Sequence, residues 1–361
     1  MSICAIARPS RPARKHYANI MALITLLPLV WLPATGTLAR ENTTPSGDEM
    51  TARTELGRRL FYDIRLAGPG YMSCASCHKP EKAFTDGRPV AIGVTGERHT
   101  RNTPTLANVR DLTVLGWANP SPQSLEHQML RPLFSQTPIE MGTRGYEQPV
   151  LLHISSNAIY RELFARAFHN DPAPVSFGNI TRAIADFQRT IISRDSPYDR
   201  YAAGDRDALS PAARRGLALF NSSRTKCREC HVPPLFTDER FHNTGLYNRD
   251  GKGGLPGADQ GLANETNLDK DIGRFRTPTL RNIAVTGPYM HDGSFASLEQ
   301  VVDHYAAGGA SASLGRPSPL RAERVTGFDI APDEKRDLIS FLQSLTDRAF
   351  LANERLATPF R

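Results

Sequence analysis

Cysteine is scarce in this chain of 361 residues: it has five, and Cys4 stands far from Cys74, Cys77, Cys227 and Cys230. So few thiols argue against a fold stapled by disulfides. A second long apolar run is lacking once residue 40 is passed, so the body of the chain offers no candidate for a spanning helix. Charge of one sign is also limited. The formal net charge is +7, and Arg8, Arg11, Arg14 and Lys15 supply four of those charges with no acidic residue near them. The small surplus left elsewhere points neither to nucleic acid nor to strong membrane-surface binding. Finally, no stretch alternates convincingly as a strand, so the chain reads as mostly α with little or no β structure.

What is present begins with residues 1–39. The four basic residues precede a largely apolar run from Ile20 to Leu38, and Thr37-Leu38-Ala39 offers small side chains for cleavage, the layout of an export signal. Pro28, Pro33 and Gly36 interrupt the run, which argues against a retained anchor. Removing this segment takes Cys4 with it. Every remaining thiol then belongs to Cys74-Ala75-Ser76-Cys77-His78 or to Cys227-Arg228-Glu229-Cys230-His231.

Both are CxxCH. Cysteines at i and i+3 can each add across a vinyl group of one haem, and the histidine that follows lies under the porphyrin as proximal iron ligand. Zinc would need a closed tetrahedron of ligands, and a redox dithiol would need neither the histidine nor a second copy. Two covalent c-type haems are therefore expected, in a protein without a stable membrane anchor, in the periplasm.

The organisation follows from the repeat. Residues 40–49 read as a flexible polar lead, residues 50–200 as an N-terminal haem domain and residues 201–361 as a C-terminal one, the two packed together. In the first, Leu56, Leu60 and Phe61 mark a helix that delivers the CxxCH. Ser121-Pro122 would cap and open a helix bearing Leu125, Gln128, Met129 and Leu130. Leu151, Leu152, Ile159, Leu163 and Phe164 suggest one long helix, and Ile180, Ile184, Phe187 and Ile191 another. The segment Ser193 to Asp207 is the best boundary. In the second, a helix opening at Ser210-Pro211 delivers the other CxxCH, residues 248–271 read as a surface loop, and Ser297-Leu298-Glu299-Gln300 matches a capping box ahead of Val301, Val302 and Tyr305. Leu338, Ile339, Leu342 and Leu345 mark a last helix.

Each haem iron has a second axial position whose occupant decides between electron transfer and reaction with a small molecule. Composition alone leaves Met72, Met129, Met141, Met290, His99, His242, His291, His304 and the tyrosines open. The order of segments narrows the choice. Leu-Gly-Arg-Arg-Leu-Phe-Tyr-Asp from Leu56, the first CxxCH with Ala83-Phe84-Thr85-Asp86-Gly87, Arg101-Asn102-Thr103-Pro104-Thr105, Glu140-Met141-Gly142, the second CxxCH, Phe275-Arg276-Thr277-Pro278-Thr279-Leu280-Arg281-Asn282 and Gly287-Pro288-Tyr289-Met290-His291-Asp292-Gly293 together resemble the bacterial di-haem cytochrome c peroxidase superfamily. Within it the chain is similar to the MauG-like branch.

The resemblance implies roles that the residues alone do not. In the peroxidases of the superfamily, the helix starting at the equivalent of Leu298 carries a methionine to the second haem; here Tyr305 stands in its place, as in MauG-like enzymes. A phenolate is a hard donor that favours oxidised iron, whereas a thioether favours the ferrous state. The loop histidine of those peroxidases is replaced by valine in Ile92-Gly93-Val94, which implies an open site on the first haem, with His99 the nearest substitute. Glu140 is then the distal carboxylate, lined by Gln128 and Pro132, and Trp117 the relay between haems. Asn102 with the carbonyls of Thr286 and Pro288 would hold calcium.

The implied activity is use of hydrogen peroxide to oxidise an aromatic residue, tryptophan foremost, of a periplasmic partner protein through a high-valent two-haem state. Gly116-Trp117-Ala118-Asn119-Pro120 and the helix after it look closer to the methanobactin-associated members than to the enzyme that matures methylamine dehydrogenase. The alternative is a peroxide scavenger fed by an electron-donor protein, a small cytochrome or cupredoxin, with a methionine such as Met290 replacing Tyr305 as ligand.

Overall fold

The computed structural model describes residues 47–121 and 124–360. The export signal expected at residues 1–39, most of the polar lead, and Pro122 lie outside the described residues. Seven helices of nine or more residues carry the architecture: α1 (Gly47–Tyr62), α2 (Glu147–Ser156), α3 (Ala158–Ala167), α4 (Phe177–Arg189), α5 (Pro211–Phe220), α6 (Leu298–Ala306) and α7 (Pro332–Gln343). Among the described residues the only sheet is a two-stranded antiparallel pair, β1 (Phe241–Asn243) with β2 (Arg274–Arg276), in the register Phe241 to Arg276. The expectation of a mostly α fold with little β structure is met.

Helix α1 begins at Gly47, inside the stretch read as a lead, and Asp48 and Glu49 in its first turn complement the helix dipole. Its buried stripe of Ala52, Leu56, Gly57, Leu60 and Phe61 faces α4. The single long helix expected from Leu151 to Phe164 is broken. Asn157 caps α3 by accepting hydrogen bonds from the N–H groups of Ile159 and Tyr160, which ends α2 one residue earlier. Ser124, not Ser121, caps the short helix Leu125–Gln128, and a second short helix, Leu130–Phe134, follows.

The two CxxCH motifs sit in halves built to one plan. In the first, α1 packs on α4 so tightly that a Cβ on Gly57 would lie 1.8 Å from the Ala183 carbonyl oxygen. In the second, α5 packs on α7, and a Cβ on Gly216 would lie 1.9 Å from the Asp337 carbonyl oxygen. Four residues beyond each of these contacts comes a phenylalanine. Phe61 and Phe187 have ring centroids 5.3 Å apart, and Phe220 and Phe341 4.9 Å apart. A third ring joins each pair from the loop after the CxxCH: Phe84 at 6.0 Å from Phe61, and Phe236 at 5.9 Å from Phe220. Edge-on aromatic packing of this kind adds about 0.5–1.5 kcal/mol per pair beyond area burial.

A buried polar knot ties the halves together. Asn108 and Asn282 both adopt left-handed backbone geometry at the end of a Thr-Pro-Thr-Leu-x-Asn turn. Asn108 exchanges two hydrogen bonds with the backbone of Ser193, and Asn282 donates to the Ser193 hydroxyl and accepts from the backbone N–H of Asp347. All four residues are at most 2% exposed. The segment 193–207 is thus anchored at Ser193 and holds a short helix, Pro197–Ala202, capped by Ser196. The C-terminal stretch returns to the first half: Phe350 packs on Phe84, and the Leu356 carbonyl accepts from the Tyr62 hydroxyl.

Replacing Gly57 by alanine should force α1 and α4 apart and cost about 1–3 kcal/mol, as overpacking does. Gly47→Ala, where the added methyl meets nothing within 4 Å, is the control. Equal denaturation midpoints for the two variants would refute the close-contact argument.

Candidate functional site

Each CxxCH is followed by a Phe-Thr-Asp turn, and that turn aims the histidine. His78 Nδ1 donates to the Phe84 carbonyl at 2.8 Å, and His231 Nδ1 donates to the Phe236 carbonyl at 3.0 Å. Both phenylalanines have positive φ, 63° and 56°. The turns are held in place by threonine hydroxyls. Thr105 donates to the Ala83 carbonyl and Thr279 to the Leu235 carbonyl, each at 2.5 Å. With Nδ1–H committed to a carbonyl, Nε2 carries the lone pair, the tautomer that a metal-ligating histidine needs. Burial pushes both imidazoles below the ordinary histidine pKa, so they stay neutral and able to ligate.

The thiols match this picture. Burial pushes Cys74 up to about 12 and Cys77 to about 11, and the nearby Glu140 carboxyl adds to both shifts. The same proximity places Glu140 at the first CxxCH. Its backbone is clamped: the Glu140 carbonyl accepts from the Val94 N–H at 2.7 Å, and the next N–H, of Met141, donates to the Pro132 carbonyl at 2.9 Å. Burial raises the Glu140 carboxyl above the ordinary range, against the pull of His99 and Arg131. The Nε2 of His99 is itself buried without a partner. Gln128 closes the helix Leu125–Gln128, four residues before Pro132.

The second CxxCH opens into a cavity lined by Cys227, Cys230, His231, Tyr305, Trp117 and Met290, among others. Tyr305 reaches it from α6, whose N-terminus carries the expected capping box of Ser297 and Gln300. Burial, reinforced by Cys230 and Cys227, pushes the Tyr305 hydroxyl well above its ordinary value. A phenolate there requires a cation against it. Other residues left open by composition have different employment: Met129 and Met141 are buried in the first core, His242 pairs with Asp238 at 2.8 Å, and His291 stacks on Phe275 with centroids 3.7 Å apart. The side chains of Cys230, Asp238 and His242 lie close enough to hold a metal, but a Cys230 bonded to haem has no thiolate to give.

Trp117 is positioned by β2. Its carbonyl accepts from the Arg276 N–H at 2.7 Å, and its indole N–H donates to the Asn102 carbonyl at 2.8 Å. Asn102 gathers oxygens from both halves. Its side-chain nitrogen lies 2.8 Å from the Arg88 carbonyl, 3.2 Å from that of Pro89 and 3.4 Å from that of Pro288. Thr286 and Pro288 line the same cavity as Trp117. Sequence reasoning missed the paired Phe-Thr-Asp and Thr-Pro-Thr-Leu-x-Asn turns as orienting devices. Their signal was there, since each occurs once per half.

Comparison with known proteins is consistent along the chain. The family model for di-haem cytochrome c peroxidase matches residues 51–207. The methylamine utilization protein MauG of Methylophilus methylotrophus is 33% identical over 339 residues, 92% of this chain and 95% of its own. The cytochrome c551 peroxidase of Pseudomonas aeruginosa is 30% identical over 296 residues, 81% of this chain and 78% of its own. Among solved structures, a MauG-like protein associated with microbial copper homeostasis aligns with a TM-score of 0.83 at 43% identity, covering 88% of this chain and 95% of that one.

Converting Cys74 and Cys77 together to serine should halve the covalent haem per chain, read by pyridine haemochrome and intact mass, as should converting Cys227 and Cys230. An unchanged haem content in either double variant would remove the corresponding motif from the site.

Proposed function

Since the chain belongs to the di-haem cytochrome c peroxidase family, oxidoreductases that act on peroxide and carry two haems, we propose that it is a MauG-like enzyme. In this reading it spends the oxidising power of hydrogen peroxide on an aromatic side chain, tryptophan foremost, of a partner protein. The observation that carries the reading is Tyr305, set by α6 into the cavity of the second CxxCH beside Cys227 and Cys230.

When bound, the two haems supply peroxide activation and hold the two oxidising equivalents it yields. The chain's own residues do the rest. His78 and His231 present Nε2 as proximal donors, locked by the Phe84 and Phe236 carbonyls. Tyr305 gives up its proton to serve as the anionic second ligand in the C-terminal haem domain, residues 201–361. In the N-terminal domain, residues 50–200, Glu140 accepts a proton from peroxide at its near oxygen and returns it to the departing one. Burial raises the Glu140 carboxyl above the ordinary range, which makes its ionised form a stronger base. Pro132 fixes Glu140 through the Met141 N–H, and Gln128 stands on the preceding helix. Trp117 bridges the two sites.

The oxygen-rich junction at Asn102 suits calcium. Turned over, its amide would present Oδ1 beside the carbonyls that already surround it, and with the carbonyls of Thr286 and Pro288 it would form a set of oxygen donors only. An export signal at residues 1–39 would carry the enzyme to the periplasm. No helix among the described residues is long and apolar enough to cross a membrane.

A scavenger fed by a small cytochrome or cupredoxin would need a methionine ligand, and Met290 lines the same cavity. Stoichiometric peroxide added to the diferric protein separates the readings. A long-lived, doubly oxidised state absorbing in the near-infrared is expected in the wild type and should be lost in Tyr305→Met. Reaction only after one haem is reduced, with fast turnover of reduced cytochrome c, would establish the scavenger instead. In Glu140→Gln, peroxide consumption should slow by about 10²–10⁴-fold with unchanged haem content. In the wild type, the rate should fall as pH drops through a Glu140 pKa lying above the ordinary carboxyl value. A rate unaffected by the substitution would exclude Glu140 from proton transfer.

A further inference from the structure

Oxidising equivalents shared between two buried sites need a way out, and tryptophan does not supply it. The chain has two tryptophans, Trp31 and Trp117, so Trp117 is the only one beyond the export signal. A different oxidisable ring shares its apolar surroundings. Trp117 and Tyr247 pack against the same small apolar cluster of Ala118, Leu255 and Phe275. Two hydrogen bonds lead from Trp117 to the residue that touches Tyr247: the Trp117 indole N–H donates to the Asn102 carbonyl at 2.8 Å, and the Asn102 N–H donates to the His291 carbonyl at 2.6 Å. The His291 ring meets Tyr247 edge-on with centroids 6.5 Å apart.

Oxidising a phenol requires somewhere for its proton to go, because the radical cation is a strong acid. The Tyr247 hydroxyl donates to Asp292 Oδ2 at 2.6 Å, a short charge-assisted bond. The other Asp292 oxygen accepts the backbone N–H of Ser294 at 3.1 Å. Tyr160 makes a similar bond to Asp63, but that ring is 2% exposed and Arg65 grips the same carboxylate, which makes Asp63 a poor proton acceptor. Tyr247, by contrast, is only partly buried.

We propose that Tyr247, with Asp292 as its proton acceptor, is a redox-active tyrosine that carries oxidising equivalents from Trp117 to the protein surface. The proposal rests on the peroxide-driven reading above. The step balances: the oxidised Trp117 indole takes one electron from Tyr247, the phenolic O–H bond breaks, and the proton passes to Asp292 Oδ2. A neutral tyrosyl radical and a neutral carboxylic acid result. An aromatic donor at the surface then returns the electron, and Asp292 returns the proton. One hydrogen peroxide, reduced by two electrons and two protons to two waters, drives the step twice.

The test is freeze-quench electron paramagnetic resonance on the holoenzyme after one equivalent of peroxide, with ring-deuterated tyrosine to identify the radical. The wild type should give a tyrosyl signal, Tyr247→Phe should abolish it and prolong the oxidised state severalfold, and Asp292→Asn should cut its yield severalfold with haem absorption unchanged. A ruthenium tris-bipyridine photosensitiser with persulfate, used on the same proteins, injects oxidising equivalents without peroxide. A Tyr247 radical by light but no reaction with peroxide would leave this proposal standing and refute the peroxide-driven reading. Oxidised haems with no tyrosyl signal by either route, or a signal that survives in Tyr247→Phe, would overturn it.

Discussion

The hydrogen bonds among Asn108, Ser193, Asn282 and Asp347 are the constraint from which the geometry of both sites descends. Buried amides and hydroxyls left unpaired cost about 1–3 kcal/mol each, so the four residues hold one arrangement or the interior loses its balance. That arrangement sets where the two Thr-Pro-Thr-Leu-x-Asn turns lie. Each turn places a threonine hydroxyl, Thr105 or Thr279, on the loop after a CxxCH, and each loop offers a carbonyl to a histidine. Orientation thus passes from the polar knot to the imidazoles through short side chains, asparagine and threonine, that have few rotamers to lose.

The two halves share this scaffold and differ in what they bring to the neighbourhood of each CxxCH motif. The first surrounds its site with loops, Ile92-Gly93-Val94 and Ile139-Glu140-Met141, pinned to each other by the bond from the Val94 N–H to the Glu140 carbonyl. The second sends in a helix, α6, that carries a side chain at a fixed height. A loop lined by a carboxylate suits an incoming small molecule, and a helix with a phenol suits a permanent ligand. The scaffold is duplicated, and the division of labour lies in the insertions.

Much of the site was legible because its chemistry is local. CxxCH needs four covalent neighbours in one short stretch, and the capping box ahead of Tyr305 is written in four consecutive residues. Helices α1, α4 and α7 announced themselves by apolar stripes. The break at Asn157 did not, because Ile159, Leu163 and Phe164 continue an apolar pattern while a single side chain caps a new helix. Ser124 displaced Ser121 for the same reason, since several candidates compete for one cap. The polar knot and the bond between Tyr247 and Asp292 join residues far apart in sequence, and no local pattern encodes such pairs. Assigning roles to Trp117 and Glu140 by sequence needed the resemblance to a family; in the structure Trp117 lines the cavity of the second CxxCH and Glu140 lies near the thiols of the first.

The return of the C-terminal stretch to the first half bears on how the first motif is completed. Phe84, whose carbonyl steers His78, rests against Phe350, and α1 is latched at the Leu356 carbonyl by Tyr62. The first histidine is therefore steered by a carbonyl whose own residue leans on the far end of the chain, so the geometry of the first motif is closed by residues nearly three hundred positions away from α1.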